Sequence, residues 1–331
     1  MRSMTTWITA SILVVSMSFS ARADAPTGRG DLDALGLALP HPGSGRLASV
    51  RRSGPNRPES PALLVVATAE KSRSAAIALP WEARWAGASE LVVSHRAPEL
   101  RDGFGTTLSR VDFASLGAVT FSDRRGLSAP RPAPDGSRIA LTRLSLPSGK
   151  QHLEIHPLGA HDAGSGQPLV FEEIAPIDLV WSPDGDHIVA SVGVVEADGR
   201  IWPRLRRLDV QSGAVAAVDD GGQAQGVTPL FWTRRGLFVH DGVSVRRCDL
   251  EGSGCSVVFT PEGERRLIRR GTAVGGDRAY VLVSDGTRDA FETRSHELHE
   301  LDLESGSGKR LLRLPDGLFL EDIDWVDDPP S

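Results

Sequence analysis

Apolar residues in this chain come in short runs, and tight turns separate them. Between Asp178 and Val189 the order is Asp-Leu-Val-Trp-Ser-Pro-Asp-Gly-Asp-His-Ile-Val: an apolar strand, a tryptophan, a Pro-Asp-Gly turn and a second apolar strand. Half a repeat later, residues 205–210, Gln211-Ser212-Gly213 and residues 214–218 read as strand, turn, strand. Short apolar runs joined by Ser/Gly turns mark antiparallel hairpins, and no stretch carries a helical stripe of any length. The pattern predicts an all-β chain.

Damaged copies of both signals recur. Trp85 is followed by Leu91-Val92-Val93, Pro134-Asp135-Gly136 by Ile139-Ala140-Leu141, Trp232 by Leu237-Phe238-Val239, and Gly275-Gly276-Asp277 by residues 280–283; Trp325 is the last copy. The hairpin signal returns around residues 114–117, 251–254 and 304–308. A spacing of about 40–50 residues is the period of a four-stranded propeller blade. Six units result, with a seventh blade as the main alternative. The last unit has only its first strand. The N-terminal segment lacks a first strand and supplies the other three at 46–52, 62–69 and 75–79. Together the remnants complete one blade, so a C-terminal strand closes the ring.

The segment from Asp178 to Gly185, followed by Arg207-Leu208-Asp209-Val210-Gln211-Ser212-Gly213, resembles the TolB-type, WD40-like Pro-Asp-Gly repeat of six-bladed β-propellers. Related repeats occur in the propellers of prolyl-oligopeptidase-like enzymes. The resemblance covers roughly residues 46–326, with one full motif at Trp181–Gly185 and a partial one at Ala133–Gly136. It implies a propeller fold and the cell envelope. TolB proteins carry an α/β domain before the propeller and the peptidases carry a hydrolase domain. Neither has a counterpart in this sequence, so the likeness implies fold and compartment rather than task.

Composition adds a compartment. Residues 1–23 hold Arg2, an apolar run from Ile8 to Phe19 and Ala21-Arg22-Ala23, which is the layout of a secretory signal peptide. Residues 24–45 then form a lead-in, 46–326 the propeller and 327–331 a tail. No cysteine for lipid attachment lies near the cut, and no later run is long enough to span a bilayer. The expected location is periplasmic or secreted. The sequence holds 37 basic and 43 acidic residues. That balance, without a basic run, argues against nucleic acid and anionic membranes. In a hairpin turning at Gly252-Ser253, Cys248 stands diagonal to Cys255 on one face. An oxidising compartment makes a disulfide between them the expectation.

Candidate chemistry follows from the alignment. Trp85, Trp181, Trp232 and Trp325 read as wedges between blades. His296 and His299 fall on opposite faces of a strand and make no metal pair, while His152, His156 and His161 read as solvated or turn-bonded. No nucleophile elbow or phosphate loop is present. Glu82, Asp178 and Asp322 each stand three residues before an alignment point, and Asp324 follows on the same face. First strands line a propeller channel, so these carboxylates can gather into a site for a cation such as Ca²⁺. The competing reading pairs them with Arg84 and Arg131 or with strand backbones. Three long connections between second and third strands carry Asp102 and Phe104, Asp198 and Trp202, and Asp285 and Phe291. They form a rim suited to a partner.

The function expected is that of an exported, non-catalytic binding or scaffold protein, a monomer that meets a protein or peptide of the envelope through the loop face around the channel. The alternative is a propeller-based, metal-dependent hydrolase of the lactonase kind, or a lyase.

Overall fold

A computed structural model describes residues 45–53, 62–68, 72–75, 77, 80–96, 106–122, 126–145, 149–158, 167–197, 199–218, 226–249, 254–263, 266–285, 295–314 and 318–327. Every regular element among them is a strand, and the strands form six four-stranded sheets. Blade 1 joins β24 (Leu318–Val326) to β1 (Arg46–Ser53), β2 (Ala62–Ala67) and β3 (Ser72–Ala75). Blade 2 holds β4 (Pro80–Trp85), β5 (Glu90–Arg96), β6 (Thr106–Asp112) and β7 (Ala118–Ser122). Blade 3 holds β8 (Leu127–Pro132), β9 (Arg138–Ser145), β10 (Lys150–Pro157) and β11 (Leu169–Phe171). Blade 4 holds β12 (Pro176–Trp181), β13 (His187–Val195), β14 (Ile201–Asp209) and β15 (Val215–Ala217). Blade 5 holds β16 (Thr228–Thr233), β17 (Gly236–His240), β18 (Val245–Asp249) and β19 (Gly254–Phe259). Blade 6 holds β20 (Arg266–Val274), β21 (Arg278–Asp285), β22 (Ser295–Asp302) and β23 (Gly308–Arg313).

The first strands touch in a closed cycle, β24 to β4, β8, β12, β16, β20 and back to β24. This is a six-bladed propeller. The ring is shut by antiparallel pairing of β1 with β24, from Arg46 opposite Val326 to Ser53 opposite Leu318.

Six apolar clusters lie between consecutive blades, because each sheet buries both faces. The seam of blades 6 and 1 packs Tyr280, Leu282, Leu298 and Leu314 on Leu47, Leu318, Ile323 and Trp325. Trp85 and Trp181 sit in two other seams, and Trp232 packs on a fourth. The Trp181 indole donates to the Arg131 carbonyl of the preceding blade at 2.7 Å.

Turn chemistry repeats too. The Asp184 carboxylate accepts the Ser182 hydroxyl and the Asp186 amide, while Gly185 takes a φ of 77°. Between third and fourth strands, Asp112, Asp209 and Asp302 each accept both the amide and the hydroxyl of the serine three residues on.

Three local expectations are revised. The fourth strand of blade 1 is Ser72–Ala75, not 75–79. Ile77, which gives the later stretch its apolar signal, packs on the seam of blades 1 and 2 from the connection after the strand. Cys248 pairs directly with Cys255 rather than diagonally, since the connection between them takes residues 250–253. Their disulfide has an S–S distance of 1.94 Å. The connection near Val194 is largely strand: Val194 pairs with Trp202 and Val195 with Ile201 in a ribbon that outruns its neighbours.

The leader, most of the lead-in and the tail beyond Asp327 lie outside the described residues. So do Asp102, Phe104, Asp198, Phe291, His161 and the side chains of Asp285 and His296. Among the described residues, no helix is long and apolar enough to cross a membrane.

Candidate binding site in the central channel

Each first strand carries a register irregularity near its start, and the side chain just beyond it is Glu82, Arg131, Asp178, Phe231, Arg270 or Asp322. A bulge bends the strand and re-aims a side chain. Pro80, Pro176 and Pro229 stand at these places without breaking a ladder, because the channel side of a first strand has no partner strand. Five of the six blades thus send a charge inward, while Phe231 of blade 5 stacks on Phe238 in the seam with blade 6 and borders the cavity.

These charges neutralise one another. Arg131 lies 2.7 Å from Asp178 and 3.4 Å from Glu82. Arg270 reaches the same two carboxylates, Glu82 at 3.0 Å and Asp178 in a closer pair. Arg84 pairs with Asp322, whose Oδ2 also accepts the Ala83 amide at 3.0 Å. Asp324 accepts the Trp85 amide at 2.8 Å and the Thr272 hydroxyl at 3.0 Å.

The electrostatics follow. Burial pushes the Asp178 carboxyl up, but Arg131, Arg270 and Arg84 bring it down to about 2. For Glu82 burial again opposes the same three arginines, with Asp178 adding to the opposition, and the arginines prevail. Asp324 goes the other way: burial raises its carboxyl, and Arg84 and the Trp85 amide only partly offset it. Burial lowers the Arg84 guanidinium, yet Asp322, Asp324 and Glu82 hold it above its usual value.

Beyond this layer lies a cavity of about 300 Å³. Residues of all six first strands line it, among them Trp85, Pro132, Trp181, Phe231, Thr272 and Asp324. Gly87 and Pro134, which lie in connections between first and second strands, also line it. The cavity therefore faces the end of the ring where first strands finish. In an alternating meander the connections between second and third strands, which carry the predicted rim, lie at the other end.

All four predicted channel carboxylates belong to the charge layer with Arg84 and Arg131, and Asp178 and Asp324 also line the cavity. Arg270 escaped the alignment because it stands four residues before Val274, not three. The sequence does not single it out, because Arg266 and Arg269 stand in the same strand start. Among the described residues, no three His, Cys, Asp or Glu side chains are grouped to hold a metal. Trp202 is half-buried within the ribbon rather than at a loop tip. His152 and His156 are not solvated: both bond Glu154, at 3.0 and 2.7 Å, with Arg143 on the same carboxylate. Burial raises that carboxyl, and the three partners bring it to about 2. His299 bonds Glu297 at 3.0 Å.

The class defined by this architecture is the six-bladed β-propeller, and its fold is similar to that of TolB structures. TolB from Acinetobacter baumannii superposes with a TM-score of 0.62 at 16% identity, covering 87% of this chain and 68% of that one. A putative TolB from Agrobacterium tumefaciens gives 0.57 at 16% identity, covering 86% and 100%. A chain from the nidogen–laminin complex gives 0.58 at 12% identity, covering 86% and 98%. No family model matches the sequence, and no curated protein does. At these identities the likeness is one of fold.

Proposed function

We propose that this chain is an exported, non-catalytic binding protein that receives part of a protein or peptide partner of the cell envelope in the channel cavity. The observation that carries the reading is the cavity itself: apolar and aromatic walls from six strands, ended by a layer of paired charges. Such a concave site, with apolar and aromatic walls beside convergent polar and charged groups, suits ligand capture. The leader-like N-terminus and the disulfide support export. Pairing also weakens the calcium reading and the metal-dependent enzyme built on it, because arginines already hold Glu82, Asp178 and Asp322.

A specific observation favours a second contact surface. At the opposite end of the ring Val195 and Ile201 are 63% and 59% exposed on the blade 4 ribbon, and Ile177 and Val243 are exposed at the same end. Photo-crosslinking residues at Val180 in the cavity, at Ile201 on the ribbon and at Val215 on an outermost strand test both. The expected result is one envelope polypeptide linked from position 180 and not from 215. Linking from 201 alone moves the site to the ribbon end, and equal labelling from all three positions defeats the proposal.

A further inference from the structure

The charges around the channel do not divide evenly. Glu82 and Asp178 share two guanidiniums, Arg131 and Arg270. Asp322 and Asp324, two residues apart on β24, have only Arg84 between them, and its ion pair goes to Asp322. Asp324 lines the cavity with no ion pair of its own among the described residues; its contacts there are the Trp85 amide and the Thr272 hydroxyl.

A further atom at this wall lacks a partner among the described residues. Trp85, 6% exposed and lining the cavity beside Asp324, carries a buried indole N–H without an acceptor. Buried polar atoms in native proteins are nearly always satisfied, so a wall with an unused donor and a surplus carboxylate is suited to an occupant that meets both.

Resting on the binding reading above, we propose that the cavity takes a primary ammonium group of the partner, with Asp324 as its counter-ion. An ammonium is a compact charge with three donors, enough for Asp324 and a neighbouring acceptor. Pro229, Leu230 and Phe231 of blade 5 supply apolar wall for an aliphatic stem, which long amines bury readily. A carbonyl beside the ammonium would accept the Trp85 N–H. A divalent metal fits less well, because it needs several oxygen ligands and, among the described residues, only Asp324 of the four carboxylates makes no ion pair with a guanidinium. An anion fits less well too: each cavity arginine already holds a carboxylate. Desolvation of Asp324 agrees with this assignment, since an arriving cation relieves it.

The chemistry can come from a lysine side chain or from a chain N-terminus, and the test separates them. The mature chain is titrated calorimetrically with Nα-acetyl-lysine amide, its Nε-acetyl derivative, Nα-acetyl-norleucine amide, and alanyl-alanine amide with and without an N-terminal acetyl group. One free amine is expected to bind at least about tenfold more tightly than its acetylated twin. Asp324→Asn, checked for native circular dichroism, should abolish that preference. Comparison of acetylated and free probes on the unaltered chain needs no variant, so a folding defect in Asp324→Asn leaves the test intact. Equal binding of charged and neutral probes, no binding by either amine, or a Ca²⁺ heat that depends on Asp324 overturns the assignment. Crosslinking from position 180 without an amine preference keeps the binding reading and removes this one. An amine preference without a crosslinked polypeptide does the reverse for the protein-partner reading.

Discussion

Arg270 crosses the channel from blade 6 to carboxylates on blades 2 and 4, and pH decides what that crossing contributes. Asp178 and Glu82 have carboxyls lowered in the folded chain, so the network's stability is fully present above the unfolded value near 4. It is lost as pH falls toward about 2, where Asp178 takes up its proton. For Asp178 alone the contribution at neutral pH is on the order of 2 kcal/mol. Arg270→Met leaves two buried carboxylates with Arg131 as their remaining ion-pair partner among the described residues and Arg84 acting from farther off. Breaking a buried pair costs about 3–5 kcal/mol; because Arg270 is 30% exposed, about 2 kcal/mol is expected at pH 7. Urea melts of both chains should show that difference shrinking as pH drops from about 5 to about 2. A difference that stays constant over this range would mean that Arg270 acts by packing, not by charge.

At the scale of elements, what could be read from the chain depended on how much apolar surface each strand buries. First and second strands, such as β12 and β13, bury Leu179, Trp181, Ile188, Val189 and Ala190, and their pattern was plain. Outermost strands bury little: β15 is exposed throughout, and β3 is Ser-Arg-Ser-Ala. Such a strand leaves no hydrophobic period to follow, so Ile77 in the next connection drew the reading past it. The same limit applied to the site. Glu82, Asp178 and Asp322 share one spacing from their tryptophans and were legible. Arg270 is in register only through a bulge, which strand pairing reveals and spacing does not. The disulfide shows what an outer strand needs instead of apolar burial. It fastens β19 to β18 across a seven-residue separation. Replacing both cysteines by serine should cost about 2 kcal/mol, through the short loop left open in the unfolded chain and the loss of the Cys248 packing. Hydrogen exchange should rise chiefly in β19, with the other blades nearly unchanged. Uniform loss of protection across all blades would contradict a local staple.

For the whole molecule the decisive contact is the one between β24 and β1, because it turns six stacked sheets into a ring without an open seam. If closure depends on the geometry of that pairing and not on which blade the chain uses for it, the seam can be moved. Arg46 and Val326 are register partners at the end where first and second strands connect. A turn of about four residues can join them, as residues 86–89 join β4 to β5. The chain can then be opened between Gly275 and Gly276, where an added Cβ would meet nothing within 4 Å. Blade 6 then closes by β20 on β21, with the same division into one strand and three. This permutant should unfold in a single transition, with a Tm within about 5 °C of the original. Deleting residues 315–331 instead removes β24, strips Leu318, Leu320, Ile323 and Trp325 from the last seam and takes Asp322 and Asp324 from the channel. That chain should show no cooperative transition in differential scanning calorimetry. A truncated chain that melts like the intact one would show that the seams of the other blades hold the arc without closure.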